Sequence, residues 1–369
     1  MDDLKRIGIG IIGCGSIAKK VHVPCFIRTP ECQLIGLADS NLERAKELAL
    51  KYNIAHVFND YHELLESDDV DAVSVCTPPA THCQIVVDAC NANKHVLCEK
   101  PIALSLEEAD QMINAAKKSE VVLAVGHQFR FMRNVQKAAE LLRKKTIGRI
   151  LTCYGEMVGG GPFFDWKTSS NYYLKAESGI DVLFNYGTHI IDLFNFFFKK
   201  ASSVSGFIKQ RRIRNVVVGD RAIITIEYEN DILATLNTSY TAFRDPDRGV
   251  IDIYGVDGKL SISLRSPILG LYKKGSLLSK LHGTRELVCG KKDFLLPYQR
   301  EIRNFVESIA NHIEPYVTGL DGRFALEIAL AAYRSYRSQR TLTLPLNTHG
   351  GAVSNAMQPH TLANRSNGV

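Results

Sequence analysis

No apolar run in the 369 residues approaches the ~20 consecutive residues that a membrane span needs, and the chain begins acidic, Met1-Asp2-Asp3, where a signal peptide is basic. The expectation is a cytoplasmic protein with no membrane partner. No Cys-x-x-Cys pair occurs among the nine cysteines, an odd number, which argues against a zinc site or a disulfide scaffold and for reduced thiols packed as small core residues. No metal is expected. No long block of like charge accompanies the net charge of +6. Clusters such as Arg143-Lys144-Lys145 and Arg211-Arg212 are short, so a solvated surface explains them better than nucleic acid, while anionic substrates stay compatible. No internal repeat is evident. With 45% apolar and 23% charged residues, the chain has the composition of a globular protein and the length for two domains.

The first element present is a strand in which isoleucine alternates with glycine, Ile7 to Ile12, followed by Gly13-Cys14-Gly15-Ser16-Ile17-Ala18. A strand, a glycine-rich turn and a helix start let backbone amides approach a pyrophosphate, and the helix dipole favours its charge. The next apolar run, Leu34 to Ala38, ends in Asp39, where such a unit places the carboxylate that holds an adenosine ribose. With Ser40 following and no arginine beside it, Asp39 favours NAD over NADP, which stays an alternative.

Further strands are expected at Val70 to Cys76, stopped by Thr77-Pro78-Pro79, at His95 to Pro101, and at Val121 to Val125, with helices between them. Strands alternating with helices predict a parallel, doubly wound sheet. Its strands end on one edge at the Gly13 turn, Asp39, Thr77-Pro78 and Glu99-Lys100, and ligands bind at such an edge. Ser105-Leu106-Glu107-Glu108 reads as a capping box for the following helix.

From Gly126 the pattern changes. A helix over about Asn134 to Lys145 precedes period-two stretches at Arg149 to Met157, Ala222 to Glu229, Ile232 to Tyr240 and Val250 to Tyr254, with Glu229-Asn230-Asp231 as a hairpin turn. Two last helices, about Tyr298 to Asn311 and Arg323 to Arg337, are expected to close this second domain. The fold class is therefore α/β: a doubly wound nucleotide-binding domain over 1–126, and an α+β domain with a large, mainly antiparallel sheet over 127–345. Residues 346–369 contain no acidic residue and read as a disordered tail.

Between Gly179 and Asp192, a helix would place Asp181, Asn185, His189 and Asp192 on one stripe. Either these cap the helix and satisfy buried neighbours, or they face a cleft between the domains; the second reading is preferred. His22, His62 and His95 show no partner and are expected to be surface or packing residues. His82, near a strand end, is a candidate cofactor contact, and Trp166-Lys167 a candidate lining of the cleft mouth.

Taken together, Gly13-x-Gly15-x-x-Ala18, Asp71-Ala72-Val73 with Thr77-Pro78 and His82, Lys94-His95-Val96 leading to Glu99-Lys100-Pro101, and Gly187-x-His189-x-x-Asp192 resemble the Gfo/Idh/MocA oxidoreductase family. Gly126-His127-Gln128-Phe129-Arg130-Phe131 resembles its domain-crossing segment, and Thr318-Gly319-Leu320-Asp321-Gly322 its C-terminal signature. The resemblance implies a Rossmann domain binding NAD, with Gly13, Gly15, Ser16, Ile17, Asp39, Ser40, Cys76, Thr77, Pro78, His82, Glu99, Lys100 and Gln128 as contacts. It also implies an open sheet that forms homodimer or homotetramer contacts. The implied reaction is hydride transfer between nicotinamide and a secondary alcohol of a sugar, cyclitol or nucleotide sugar, bound by Lys100, Trp166, Lys167, Asn185 and His189. Lys100 would polarise the reacting oxygen and His189 would accept the hydroxyl proton. Asn185 departs from the aspartate usual at that place, and an amide cannot relay a proton. Ser178-Gly179 and Lys167 depart as well. An NAD-requiring glycosidase and a non-catalytic dinucleotide-sensing regulator are the alternatives within the resemblance.

Overall fold

In the computed structural model the described residues are 6–159, 181–213, 216–242, 249–274, 285–288 and 293–346. Trp166, Lys167, Ser178, Gly179 and the expected tail beyond Leu346 lie outside them.

β-branched and small residues fill β1 (Ile7–Ile12), β2 (Cys32–Ala38), β3 (His56–Phe58), β4 (Ala72–Val75), β5 (His95–Glu99) and β6 (Leu123–Gly126). These strands form one parallel sheet in the order β3-β2-β1-β4-β5-β6, the doubly wound order with its switch point between β1 and β4. The crossovers are α1 (Val23–Ile27), α2 (Leu42–Tyr52), α3 (Tyr61–Leu65), α4 (His82–Asn91) and α5 (Leu106–Lys118). Ser105 caps α5 as its sequence predicts, its Oγ accepting the Glu108 N–H at 3.1 Å while Glu108 reaches back to the Leu104 N–H. Strand β3 had no signal in the sequence, since three residues at a sheet edge are too few for a period to show.

A crossing segment leads from β6 to α6 (Arg133–Arg143) and β7 (Ile150–Val158). After α7 (Thr188–Phe198) come β8 (Ala201–Ile213), β9 (Val216–Tyr228), β10 (Ile232–Ser239), β11 (Gly249–Gly255), β12 (Gly258–Ser263), β13 (Ile268–Lys273) and β14 (Arg285–Val288). The described residues close with α8 (Leu296–Ala310), α9 (Gly319–Ser338) and β15 (Leu342–Thr343). The second sheet runs β14-β13-β12-β11-β7-β10-β9-β8-β15 and is antiparallel except where β7 meets β10. Its predicted hairpin is present: Ile232 pairs with Tyr228, and Asp231 takes the positive φ of 63° that such a three-residue loop asks of its last position. One face of this sheet is buried under α7 and α9, and among the described residues no helix is long and apolar enough to cross a membrane.

The last helices divide differently from the expectation. The apolar face of α8, with Tyr298, Ile302, Phe305, Val306 and Ile309, packs in one cluster with Ile9, Ile11, Leu37 and Phe26 of the first domain. An amphipathic period states that a face is buried, not against which partner, so α8 returns to the nucleotide-binding domain. Helix α9 stays with the second sheet while touching α5 and β6.

Candidate active site

The carboxyl ends of β1, β2, β4 and β5 do converge on one edge. Gly13 has φ of +91°, and a Cβ there would lie 2.8 Å from Thr77 Cγ2 and 2.9 Å from the Cys76 carbonyl carbon. A side chain would meet both the strain and the clash, so the turn requires glycine. Beside Gly15 nothing lies within 4 Å of an added Cβ, and a helix opens directly after it at the exposed Ser16 and half-buried Ile17. Asp39 is anchored by the Cys14 N–H at 2.7 Å and the Asn41 N–H at 2.8 Å, with exposed Ser40 between. A fixed carboxylate at the end of β2 and an open glycine turn at the end of β1 are the parts that an adenosine ribose and a pyrophosphate require. The residues present therefore fit a dinucleotide.

One expectation at this edge is corrected. An arginine does stand beside Asp39: Arg44, five residues on, is brought round by the first turn of α2, and its guanidinium donates to the carboxylate at 3.3 Å. It is half exposed, so the aspartate's bias against a ribose phosphate is offset on its solvent side.

Other predicted contacts turn inward. The His82 ring is fully buried, with Nδ1 3.0 Å from the Pro101 carbonyl and Nε2 3.0 Å from the Thr77 carbonyl, so it braces the β4 and β5 loops against each other and offers no free group to a cofactor. Cys76 is buried near Ser74, and Gln128 donates to Tyr298 Oη at 3.0 Å. Thr77 and Pro78 remain half-buried on the edge. Glu99 is buried and spends both oxygens within the protein, one on His22 Nε2 at 3.0 Å and one on the Lys100 N–H at 3.0 Å. His22, which sequence reading left without a partner, is thus joined to Glu99 and, through Nδ1, to Ser74 Oγ at 2.9 Å. A π-turn at Ala18–His22 rotates it inward, which no periodicity announces. Behind them lies the buried carboxyl of Glu301, pushed well above the ordinary range by burial and by Glu99.

Lys100 reaches across to the second domain. Its Nζ donates to Asn185 Oδ1 at 2.8 Å and to the Asn185 carbonyl at 3.1 Å. That carbonyl is available because Leu183–Gly187 forms a second π-turn, with the Thr188 N–H bonded to the Leu183 oxygen. An ammonium has three N–H groups, and among the described residues the third meets no acceptor. Burial lowers the Lys100 pKa, and Glu99 opposes that. His189, also buried, is pushed well below the ordinary histidine value by burial and by the neighbouring Lys100 and His127, so its neutral base form prevails. Phe129 and His127 flank its ring at centroid distances of 4.8 and 6.2 Å.

The predicted stripe divides in two. Asn185 and His189 turn to Lys100. Asp181 instead accepts the Leu183 N–H at 2.8 Å and the Tyr333 hydroxyl, and burial raises its pKa to about 7. Asp192 makes a bidentate pair with buried Arg130, at 2.8 and 2.6 Å, and Arg130 also holds Asp321 of the α9 capping box at 3.0 Å. These two carboxylates fix the crossing segment and α7; they are the structural half of the stripe. His127, on the same crossing segment, was read only as part of a motif, and the topology brings it beside His189. Among the described residues no group of three or more His, Cys, Asp or Glu side chains is placed to hold a metal ion.

Comparison with known proteins agrees with this architecture. Residues 7–127 match the model of the oxidoreductase family with an NAD-binding Rossmann fold, and residues 135–261 match the GFO/IDH/MocA C-terminal domain. The chain is 27% identical over 354 residues to a myo-inositol 2-dehydrogenase of Thermotoga maritima, covering 91% of this chain and 98% of that one. It is 32% identical over 184 residues to a D-glucoside 3-dehydrogenase of Escherichia coli, covering 50% and 52%. The fold superposes on a levoglucosan dehydrogenase solved with NADH and levoglucosan, with a TM-score of 0.85 at 21% identity over 92% of this chain and all of that one. From the glycine turn at Gly13 to the sheet behind His189, the chain belongs to the GFO/IDH/MocA oxidoreductase family.

Proposed function

We propose that the protein is an NAD-dependent dehydrogenase or reductase acting on a secondary alcohol, or the matching ketone, of a sugar or cyclitol. The observation that carries this is Lys100 Nζ, held by the side-chain and backbone oxygens of Asn185 and, among the described residues, with one N–H unclaimed, beside a neutral, buried His189. Gly13, Gly15, Ser16, Ile17, Asp39 and Ser40 would hold the dinucleotide, whose nicotinamide accepts or donates the hydride. Lys100 then binds the reacting oxygen and steadies the charge that grows on it, and His189 takes the hydroxyl proton during oxidation. Asn185 orients Lys100 and carries no proton.

The surroundings agree with this reading. The eight cysteines among the described residues are all free, seven of them buried, which suits a reducing cytoplasmic setting. Phe207, Ile223, Leu233, Tyr254 and Tyr272 stand exposed on the outer face of the second sheet, and we assign that face to a second copy of the chain in a homo-oligomer.

The test is a screen of polyols, sugars, inositols and UDP-sugars, each followed by nicotinamide absorbance with NAD and with NADP. Net NADH formation on a secondary alcohol supports the reading. Glycoside cleavage without net NADH would replace it by a glycosidase, and tight NAD binding without turnover by a regulator.

A further inference from the structure

Two imidazoles stand at the back of the site, and taking up the hydroxyl proton needs only one of them. His127 and His189 meet edge to face, ring planes at 87° and centroids 6.2 Å apart. Both are buried, and the Nδ1 of each has no hydrogen-bond partner among the described residues. Two buried imidazoles with open nitrogens, side by side, ask for a proton or a ligand to complete them.

The chemistry of the site supplies the need. When an alcohol is oxidised, the electron pair of its C–H bond leaves as hydride to the bound nicotinamide, and the O–H proton goes to His189. The imidazolium so formed stands next to the Lys100 ammonium, and like charges in a buried site repel strongly. Asn185 cannot relieve it, since both its oxygens serve Lys100 and an amide takes no proton at neutral pH. His127 is differently placed. Burial lowers it too, but Asp192 and Asp321 act on it in the raising direction against Arg130 and Lys100, whereas every neighbour acting on His189 lowers it.

We propose that His127 is a second proton acceptor behind His189, standing in for the carboxylate relay that position 185 cannot provide; this rests on the oxidoreductase reading. In oxidation His189 passes one proton to His127 and returns to its neutral form, and His127 releases that proton to solvent. In reduction the same proton travels the other way. With the ring centroids 6.2 Å apart, the proton would pass through one bridging water.

Two measurements test this. In protein with 15N-labelled histidine, assigned with His127→Gln and His189→Gln variants, lowering the pH should protonate His127 before His189; the reverse order overturns the proposal without reference to any substrate. In kinetics on an alcohol that the wild type oxidises, His127→Ala should lose about 10²-fold in turnover near neutral pH, regain part of it with added imidazole, and bind NADH as before by fluorescence. His127→Gln should stay slow. Full activity in the glutamine variant, or an unchanged pH profile in the alanine variant, would overturn the relay while leaving Lys100 and the oxidoreductase reading intact. A wild type that neither oxidises alcohols nor reduces ketones would remove that reading, and the relay with it.

Discussion

His22 Nε2 lies 3.0 Å from Glu99 Oε1, with both side chains buried and Glu99 in turn accepting the N–H of Lys100. The pair ties the helix after the glycine turn to the strand that carries the lysine. Burial pushes the Glu99 carboxyl up, but the His22 hydrogen bond and charge, with Lys100, more than offset it and leave it below the ordinary range. Burial likewise disfavours the His22 cation, and Cys76 and Glu99 outweigh it and hold the imidazole above its usual value.

Removing one partner of such a pair leaves a buried charge alone, so His22→Ala is expected to cost about 3 kcal/mol of stability. His22→Gln, whose amide still donates to Glu99, should cost clearly less. Glu99 contributes stability above its unfolded value near 4.5, lost as pH falls through its lower folded value; His22 contributes below 6.5, lost as pH rises through its higher folded value. Denaturant unfolding across pH should therefore show the wild type's advantage over His22→Ala at its greatest between those two pH values. Equal stabilities there would remove the pair from the account.

Lys100→Met keeps the length of the side chain and removes its charge and donors. Turnover should fall about 10²-fold or more, with NADH binding little changed, if the group acts on the reacting oxygen as proposed. Stopped-flow turnover alongside fluorescence titration separates the two quantities, and a variant that loses cofactor affinity instead would make Lys100 a cofactor residue.

At Asn185 the informative change is to aspartate. A carboxylate within 2.8 Å of Nζ favours the ammonium, so the Lys100 pKa should rise and the basic limb of the pH-rate profile should move upward with it. A profile that stays where it was would place Asn185 outside the proton chemistry.

The Arg44–Asp39 contact makes cofactor choice testable. Arg44→Ala should lower kcat/KM with NADP about tenfold, the size of one charge-assisted hydrogen bond, and leave NAD nearly unchanged. Asp39→Ala should do the opposite, weakening NAD and easing the repulsion of a ribose phosphate. Paired kinetics with both cofactors check this, and parallel losses would mean that the two residues only shape the turn.

The parts of this site that local pattern dictates were legible in the sequence. Gly13, Asp39 and Glu99-Lys100 sit at strand ends that alternate with helices, and a doubly wound sheet can put such ends on only one edge. Partners set by longer range were not. Arg44 meets Asp39 because a capped helix turns there, His22 meets Glu99 through a π-turn, and His127 meets His189 only once the crossing segment is laid against α7. The stripe from Asp181 to Asp192 divides for the same reason: helical spacing groups side chains on a face, but Tyr333 and Arg130, far along the chain, take up Asp181 and Asp192 and leave Asn185 to Lys100. The face of α8 was seen and its partner was not.

Asp181 gives the sharpest prediction away from the chemistry. It is fully buried, begins the segment that carries Asn185 and His189, and accepts bonds from the Leu183 N–H, the Tyr333 hydroxyl and the Gly219 backbone. Burial nevertheless dominates and raises its pKa to about 7. A carboxyl whose folded value is raised contributes stability that is fully present below its unfolded value near 3.8 and is lost as pH rises through the folded one. Ionising it should thus cost on the order of 4 kcal/mol between pH 4 and 7. Asp181→Asn cannot ionise and has one acceptor oxygen fewer, so it should be less stable than the wild type at pH 4 yet lose nothing through this window. Thermal unfolding followed across pH 4 to 7 in both proteins should show two curves that converge as pH rises. Parallel curves would mean that Asp181 is already charged in the folded protein, held by Leu183, Tyr333 and Gly219 strongly enough to overcome its burial.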